Sequence, residues 1–230
     1  MKQISLFVIF SLSLFMIPLN SQTVTADYLM GKFDPSKHPD FVLLDKKHTV
    51  KSDLYLRKET YEAFKKMAIA AEKEGVIFSI ISATRNFEYQ KSIWETKWAA
   101  LKDKTAEARA KKILQYSAMP GASRHHWGTD IDLNNLTNPF FEKNRGKKIY
   151  DWLVAHAHEY GFCQPYTLGR KVGYQEEKWH WTYLPLSKDF TALASKYLKN
   201  ELIKGFKGSE TAVKIGIVKN YVLGINKDCL

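Results

Sequence analysis

Ten residues, S-R-H-H-W-G-T-D-I-D from Ser123 to Asp132, gather two histidines and two aspartates around one glycine. These are side chains that bind divalent metals. If residues 129–133 are extended, Asp130 and Asp132 project from one face, because side chains on a strand repeat every second residue. His125 falls in the turn before that strand, and Gly128 lets the backbone bend so that imidazole and carboxylate converge. Zinc takes His nitrogen and Asp oxygen, and a catalytic zinc site needs three protein ligands with one position open. Two are in reach here, and a third must come from elsewhere.

The run E-E-K-W-H-W-T-Y, residues 176–183, supplies it. His180 lies inside an alternating stretch, and a strand paired beside 129–133 would point it to the same side as Asp132. Glu177 is three residues earlier, an odd separation, so it must occupy the turn ahead of the strand to face the same point. A carboxylate placed there would sit beside the metal without ligating it, as a general base requires. Trp179, Trp181 and Tyr183 would fall on the opposite face as core.

On these residues the sequence resembles the LAS zinc peptidases, and within them the D-alanyl-D-alanine carboxypeptidases of the vancomycin-resistance (VanY-like) type. Their pattern is S-x-H-x-x-G-x-A-x-D followed later by E-x-W-H. Ser123, His125, Gly128 and Asp132 match the first part, and Glu177, Trp179 and His180 the second. The resemblance implies zinc held by His125, Asp132 and His180, with Glu177 as catalytic base. A third element, Y-R-S-x-x-x-Q, corresponds to T-R-N-F-E-Y-Q at 84–90. There Arg85 would grip the substrate carboxylate, with Gln90 at matching spacing, while Thr84 and Asn86 depart from the pattern. Ser123 is a candidate substrate contact or a turn-shaping residue. Asp130 stands where the family has alanine, and would either orient His125 or compete as a ligand. The implied reaction is removal of the terminal D-alanine from peptidoglycan stem peptides. L,D-carboxypeptidase or D,D-endopeptidase activity remains open, with loops 102–122 and 164–176 shaping the choice. So does a non-catalytic, zinc-stabilised envelope-binding module, against which the intact Glu177 argues.

Other chemistries lack their residues. No serine has a lysine three positions later, and no G-x-S-x-G elbow, C-x-x-C pair, G-x-G-x-x-G turn or P-loop occurs. His158-Glu159 opens a zincin-like H-E-x-x-H, but position 162 is Phe. The formal net charge of +11 favours an anionic partner such as a bacterial wall. Mixed Lys/Glu helix faces without an Arg-rich arm give no sign of nucleic-acid binding.

The elements that must position these residues follow from periodicity. Met1-Lys2 and the apolar run from Ile4 to Leu19 read as a signal peptide over residues 1–26, cut near Ala26 or at the rival Ser21; an uncleaved anchor is the alternative. The expected location is therefore periplasmic or extracellular, with no stable membrane span after cleavage. Helical spacing from Thr60 ends at Gly75, a β-branched run covers Val76–Ser82, and helices are expected over 86–102, 105–116 (opened by Thr105) and 145–160. Short strands are expected at Thr129–Leu133 and Lys178–Tyr183, and a last helix capped by Ser187. This order predicts an α+β domain: a small, mainly antiparallel sheet flanked by helices, the fold of LAS or hedgehog-like peptidases. The expected division is a zinc D,D-peptidase domain over 27–205 and an appendage over 206–230, whose apolar stretch Val213–Leu223 suits a helix or a hairpin. Export permits a disulfide between Cys163 and Cys229, and spacing leaves paired and free states both open.

Overall fold

The computed structural model describes residues 24–102 and 105–230. Most of the expected signal peptide, residues 1–23, lies outside the described residues. The chain opens with a single turn α1 (Ala26–Leu29), whose N-terminus is capped by the Thr25 side chain. A hairpin-like pair of antiparallel strands follows, β1 (Phe41–Leu43) and β2 (Tyr55–Arg57). Helix α2 (Lys58–Lys73) carries Tyr61, Phe64, Met67 and Ala71 inward at 3–4 residue spacing. Gly75, at φ 69°, turns the chain out of it.

Strand β3 (Ile80–Ser82) is shorter than the apolar run that suggested it. Its ladder neighbour among the described residues, β4 (Asp130–Leu133), turns away at Asn134 (φ 60°), whose N–H still donates to Ser79 O (2.8 Å), so the ladder does not extend back over residues 76–78. Val76 and Phe78 stay buried as core instead. Helices α3 (Phe87–Ala99) and α4 (Ala106–Ile113) come next, capped by Asn86 and, as expected, by Thr105. After β4 come α5 (Asn144–His156), a 3-10 turn ending at Gly161, and the strands β5 (Phe162–Cys163) and β6 (His180–Tyr183). Helix α6 (Leu184–Tyr197) starts three residues before the expected Ser187 cap. Pro185 lies in its first turn, where a missing N–H costs no hydrogen bond, and Ser187 is buried inside the helix.

The main sheet has the order β3-β4-β6-β5 and every pairing in it is antiparallel. Its two faces differ as the strand period demands. Ile80, Ile131, Leu133, Phe162 and Trp181 join a core cluster with α2 and α5. Asp130, Asp132, His180 and Thr182 are buried on the other side of the alternation. A second cluster gathers α1, α3, α4 and α6 around Trp94, Trp98, Trp127 and Phe190.

Residues 206–230 were expected to be an appendage, and they are part of this second cluster. Phe206, Ile217, Val222 and Cys229 are buried in it, and the stretch is helical, with α7 (Ala212–Ile215) followed by a wide turn over Val218–Val222. The segment's apolar residues need the helix faces of the body to cover them. Cys163 and Cys229 form a disulfide with their Cα atoms 5.7 Å apart. The tail also braces the loop between β5 and β6: Arg170 donates to Gly224 O (2.7 Å) and Asn226 N–H to Pro165 O (2.8 Å). A Cβ on Gly173 would come within 2.5 Å of Gly224 O, so the two segments meet backbone to backbone.

The disulfide closes a loop spanning a sequence separation of 66. Cys229→Ser should lower the free energy of unfolding by about 2–4 kcal/mol. Denaturant melts of the variant and of the wild type should coincide once reductant is added to both.

Candidate metal centre

Three side chains converge on the polar face of the main sheet. The β4–β6 register sets Asp132 directly opposite His180, which brings both to one face at short range. His125 arrives from the 3-10 turn Arg124–Trp127 that precedes β4. That turn ends at Gly128 in the left-handed region, φ 71°, where a Cβ would lie 2.4 Å from Phe41 and 3.1 Å from Arg57. Only glycine allows both the bend and the close approach.

His125 Nε2 lies 3.3 Å from Asp132 Oδ2, and His180 Nδ1 lies 3.0 Å from Asp132 Oδ1. One donor atom from each residue falls within 4.8 Å of the others. All three residues are buried, yet His125 Nε2 and Asp132 Oδ1 have no hydrogen-bond partner. Buried polar atoms are normally satisfied. Orphaned lone pairs aimed at a common point fit a cation, and two imidazoles with one carboxylate are a zinc-type donor set. The far nitrogen of each ring is held: His125 Nδ1 by Ala83 O at 2.8 Å, His180 Nε2 by Asp130 Oδ2 at 2.9 Å. Asp130 therefore adjoins His180, neither of the two positions its sequence suggested. The reason is register: Asp130 stands opposite Thr182, two residues along the strand from His180 and on the same face.

The electrostatics of the cluster follow from burial and from the charges packed around it. Burial lowers His125, and the charge of Arg85 adds to this, so the ring is neutral. Burial opposes charge on His180 too, but the hydrogen bond to Asp130 and the adjacent Asp132 carboxylate outweigh it and push its pKa up to about 9. Asp132 is held well below the usual carboxylate range by the two imidazoles, despite its burial. Glu177 is pushed up to about 8 by burial, against the pull of His180.

Glu177 sits in the turn ahead of β6, as its spacing requires, with Oε2 3.4 Å from His180 Nδ1. Its backbone is fixed from both sides: its N–H donates to Tyr166 O (2.9 Å) and Gln164 Nε2 donates to its carbonyl (3.0 Å). The cluster opens into a cleft of about 370 Å³ lined also by Arg85, Ser123, Lys97, Tyr166 and Tyr174. Arg85 has a buried Nε without a partner, while its backbone N–H donates to His125 O at 3.2 Å. Ser123 lines the cleft. Gln90 does not; it is buried and donates to Ala118 O at 2.8 Å, bracing the segment that does line it.

Some residues of the site carried no signal in the sequence. Lys97 reaches Ser117 Oγ from α3, and Tyr166 packs on His180 with ring centroids 4.6 Å apart. Tyr166 lies in an irregular loop with no period to read. His126, adjacent to His125, is a structural histidine: its Nδ1 meets Arg85 O (2.6 Å), and its Nε2 accepts from Gly121 N–H (3.0 Å). Burial drives its pKa to about 3, so it stays neutral. Trp181 is core as expected, while Trp179 is buried and also walls the cleft.

An antiparallel sheet presenting two imidazoles and a carboxylate, with a glutamate at the cluster's edge, is the zinc-type arrangement expected from the sequence. The chain belongs to the VanY D-alanyl-D-alanine carboxypeptidase family, whose model matches residues 53–186 and so spans every site residue named above. It is similar to the putative carboxypeptidase YodJ of Bacillus subtilis (strain 168), 31% identical over 163 residues, covering 68% of this chain and 56% of the relative. A D-alanyl-D-alanine carboxypeptidase of Enterococcus faecalis (strain ATCC 700802 / V583) is 30% identical over 120 residues, 50% of this chain and 43% of that one. The chain thus spans about half the length of these curated relatives. Among solved structures, the fold is similar to the LD-carboxypeptidase LdcB (TM-score 0.56, 22% identity, 83% of this chain and 81% of the other). It is also similar to VanYB in complex with D-alanine-D-alanine (TM-score 0.53, 22% identity, 73% and 90%).

Because His180 must lose a proton to present Nδ1 to a metal, zinc uptake by the metal-free protein at pH 7 should release roughly one to two protons. Apparent zinc affinity should climb with pH until His180 deprotonates near 9. Calorimetry in buffers of different ionisation heat measures this, and heats independent of the buffer would show His180 neutral beforehand.

Proposed function

We propose that this protein is an exported zinc D,D-carboxypeptidase that removes the terminal D-alanine of peptidoglycan stem peptides. The observation that carries the reading is the pair of orphaned donor atoms, His125 Nε2 and Asp132 Oδ1, buried beside His180 Nδ1 at the base of a cleft containing Glu177 and Arg85. His125, Asp132 and His180 would hold zinc, which supplies a Lewis acid for the scissile carbonyl and makes water acidic enough to react near neutral pH.

The rest is the work of the chain. Glu177, fixed by its backbone and bordering the cluster, would take a proton from the attacking water and later deliver it to the leaving amine. Arg85, which lines the cleft, would bind the free carboxylate of the peptide through charge-assisted hydrogen bonds. Holding a chain end is what separates a carboxypeptidase from an endopeptidase, and it also fixes the scissile bond relative to Glu177. Ser123 would contact the peptide from the cleft wall, and Gln90 would act through the segment at Ala118. The net charge of +11 supports an anionic wall as the setting. The N-terminal apolar run supports export. Val24 and Ala26 pack against the folded core, so cleavage at Ser21 would leave the first folded turn whole.

Purified mature protein given a pentapeptide stem should release one alanine, with release stopped by a chelator and restored by zinc, as mass spectrometry of the products reads. Loss of alanine only from a tetrapeptide would reassign the enzyme to L,D-specificity. Glu177→Ala should cut kcat by about 10²–10⁴-fold with zinc content unchanged. Arg85→Ala should damage cleavage of free-ended peptides far more than of amidated ones.

A further inference from the structure

The Asp130 carboxylate is completely buried, and each of its oxygens has two partners. Oδ1 accepts from the hydroxyls of Thr129 (2.7 Å) and Thr182 (2.6 Å). Oδ2 accepts from Arg124 Nε (3.2 Å) and pairs with His180 Nε2 (2.9 Å). A carboxylate offers about four lone-pair sites. All four are engaged, so Asp130 has none left for a metal, even though it lies next to a ligand.

Arg124 is as fully buried as its partner. Its Nη1 donates to Thr191 Oγ1 on α6 (2.9 Å) and its Nη2 to Thr182 Oγ1 (3.3 Å), while its guanidinium lies 4.6 Å from the Trp127 ring centroid. Thr191 in turn donates to Ser187 O at 2.7 Å. The result is a chain of contacts from helix α6 through Arg124 and Asp130 to the rear of His180. A buried ion pair of this kind stabilises a fold weakly, because desolvation offsets most of the attraction. Its geometry, however, is directed at one imidazole nitrogen.

We propose that Arg124 and Asp130 are positioning residues for His180. Asp130 accepts the Nε2 proton, which leaves Nδ1 as the lone pair facing Asp132 and fixes the ring plane; Arg124 keeps Asp130 ionised and aimed. This rests on the metal-centre reading but is tested without turnover. His125 is served differently, by the neutral carbonyl of Ala83. The two imidazoles therefore differ in basicity, and His180 is the stronger donor of the pair.

The test compares zinc affinity, by competition against a chelating dye, with thermal stability and with the His180 ring signals in NMR of the zinc-loaded protein. Asp130→Asn sets an amide N–H or a weaker acceptor against Arg124 and His180, and should weaken zinc binding about 10–100-fold. That variant leaves Arg124 without its counter-charge and could lose zinc simply by unfolding, so a second one decides. In the double variant Arg124→Met with Asp130→Ala, both buried charges are gone and the fold should melt near the wild-type temperature. Zinc should still bind about tenfold or more weakly, with the slowly exchanging Nε2 proton of His180 lost. A double variant that binds zinc within about twofold of wild type, or that retains that protected proton, overturns the proposal. If no variant and no wild-type protein binds zinc, the metal-centre reading fails instead.

Discussion

The antiparallel register between β4 and β6 is the constraint from which the site follows. It sets Asp132 opposite His180 and Asp130 opposite Thr182. A slip of one residue would exchange these for Ile131 and Trp181, putting the ligands into the apolar core and the tryptophan into the cleft. The register is held because both faces are committed. Ile131, Leu133 and Trp181 are buried against α2 and α5, and the polar residues opposite are joined through Arg124, Thr129 and Thr182. Neither face tolerates the other's side chains, so the pairing that builds the core also builds the metal centre.

His125 reaches the cluster by a different route. It comes from a tight turn whose exit at Gly128 is pressed against Phe41 and Arg57. Arg57 donates from Nε to Trp127 O (2.8 Å) and from Nη1 to Asp40 (2.9 Å). The β1–β2 pair thus clamps the turn from outside, which explains why an N-terminal segment without chemistry of its own is part of the folded unit. His126 clamps it from inside by joining the backbones of Arg85 and Gly121. Arg85 and His125 are consequently tied together through their main chains.

Much of the site was legible in the sequence because its chemistry is tied to strand periodicity. Even spacing put Asp130 and Asp132 on one face, and odd spacing put Glu177 into the turn ahead of His180. The antiparallel sheet and most helices were legible for the same reason. What the sequence hid depends on contacts between distant segments. The partner of Asp130 could not be chosen without the register, and strand β3 ended early because β4 bends away. The start of α6 was set by Pro185 rather than Ser187. The tail at 206–230 looked separable because its apolar stretch suited a helix or a hairpin alike, whereas its apolar residues are buried in the second core cluster.

That tail bears on how much of the polypeptide the shape of the cleft requires. The cleft wall carrying Tyr166, Tyr174 and Glu177 is irregular between β5 and β6, and its outer side rests on the last ten residues through Pro165, Arg170 and Gly173. Tyr221 packs on Tyr174, with ring centroids 5.2 Å apart. The region matched by the family ends at residue 186, so by itself it lacks the splint for one side of this cleft. In this protein the shape of that cleft wall depends on residues 220–230, so a change in that segment can reach the cleft while leaving His125, Asp132 and His180 in place.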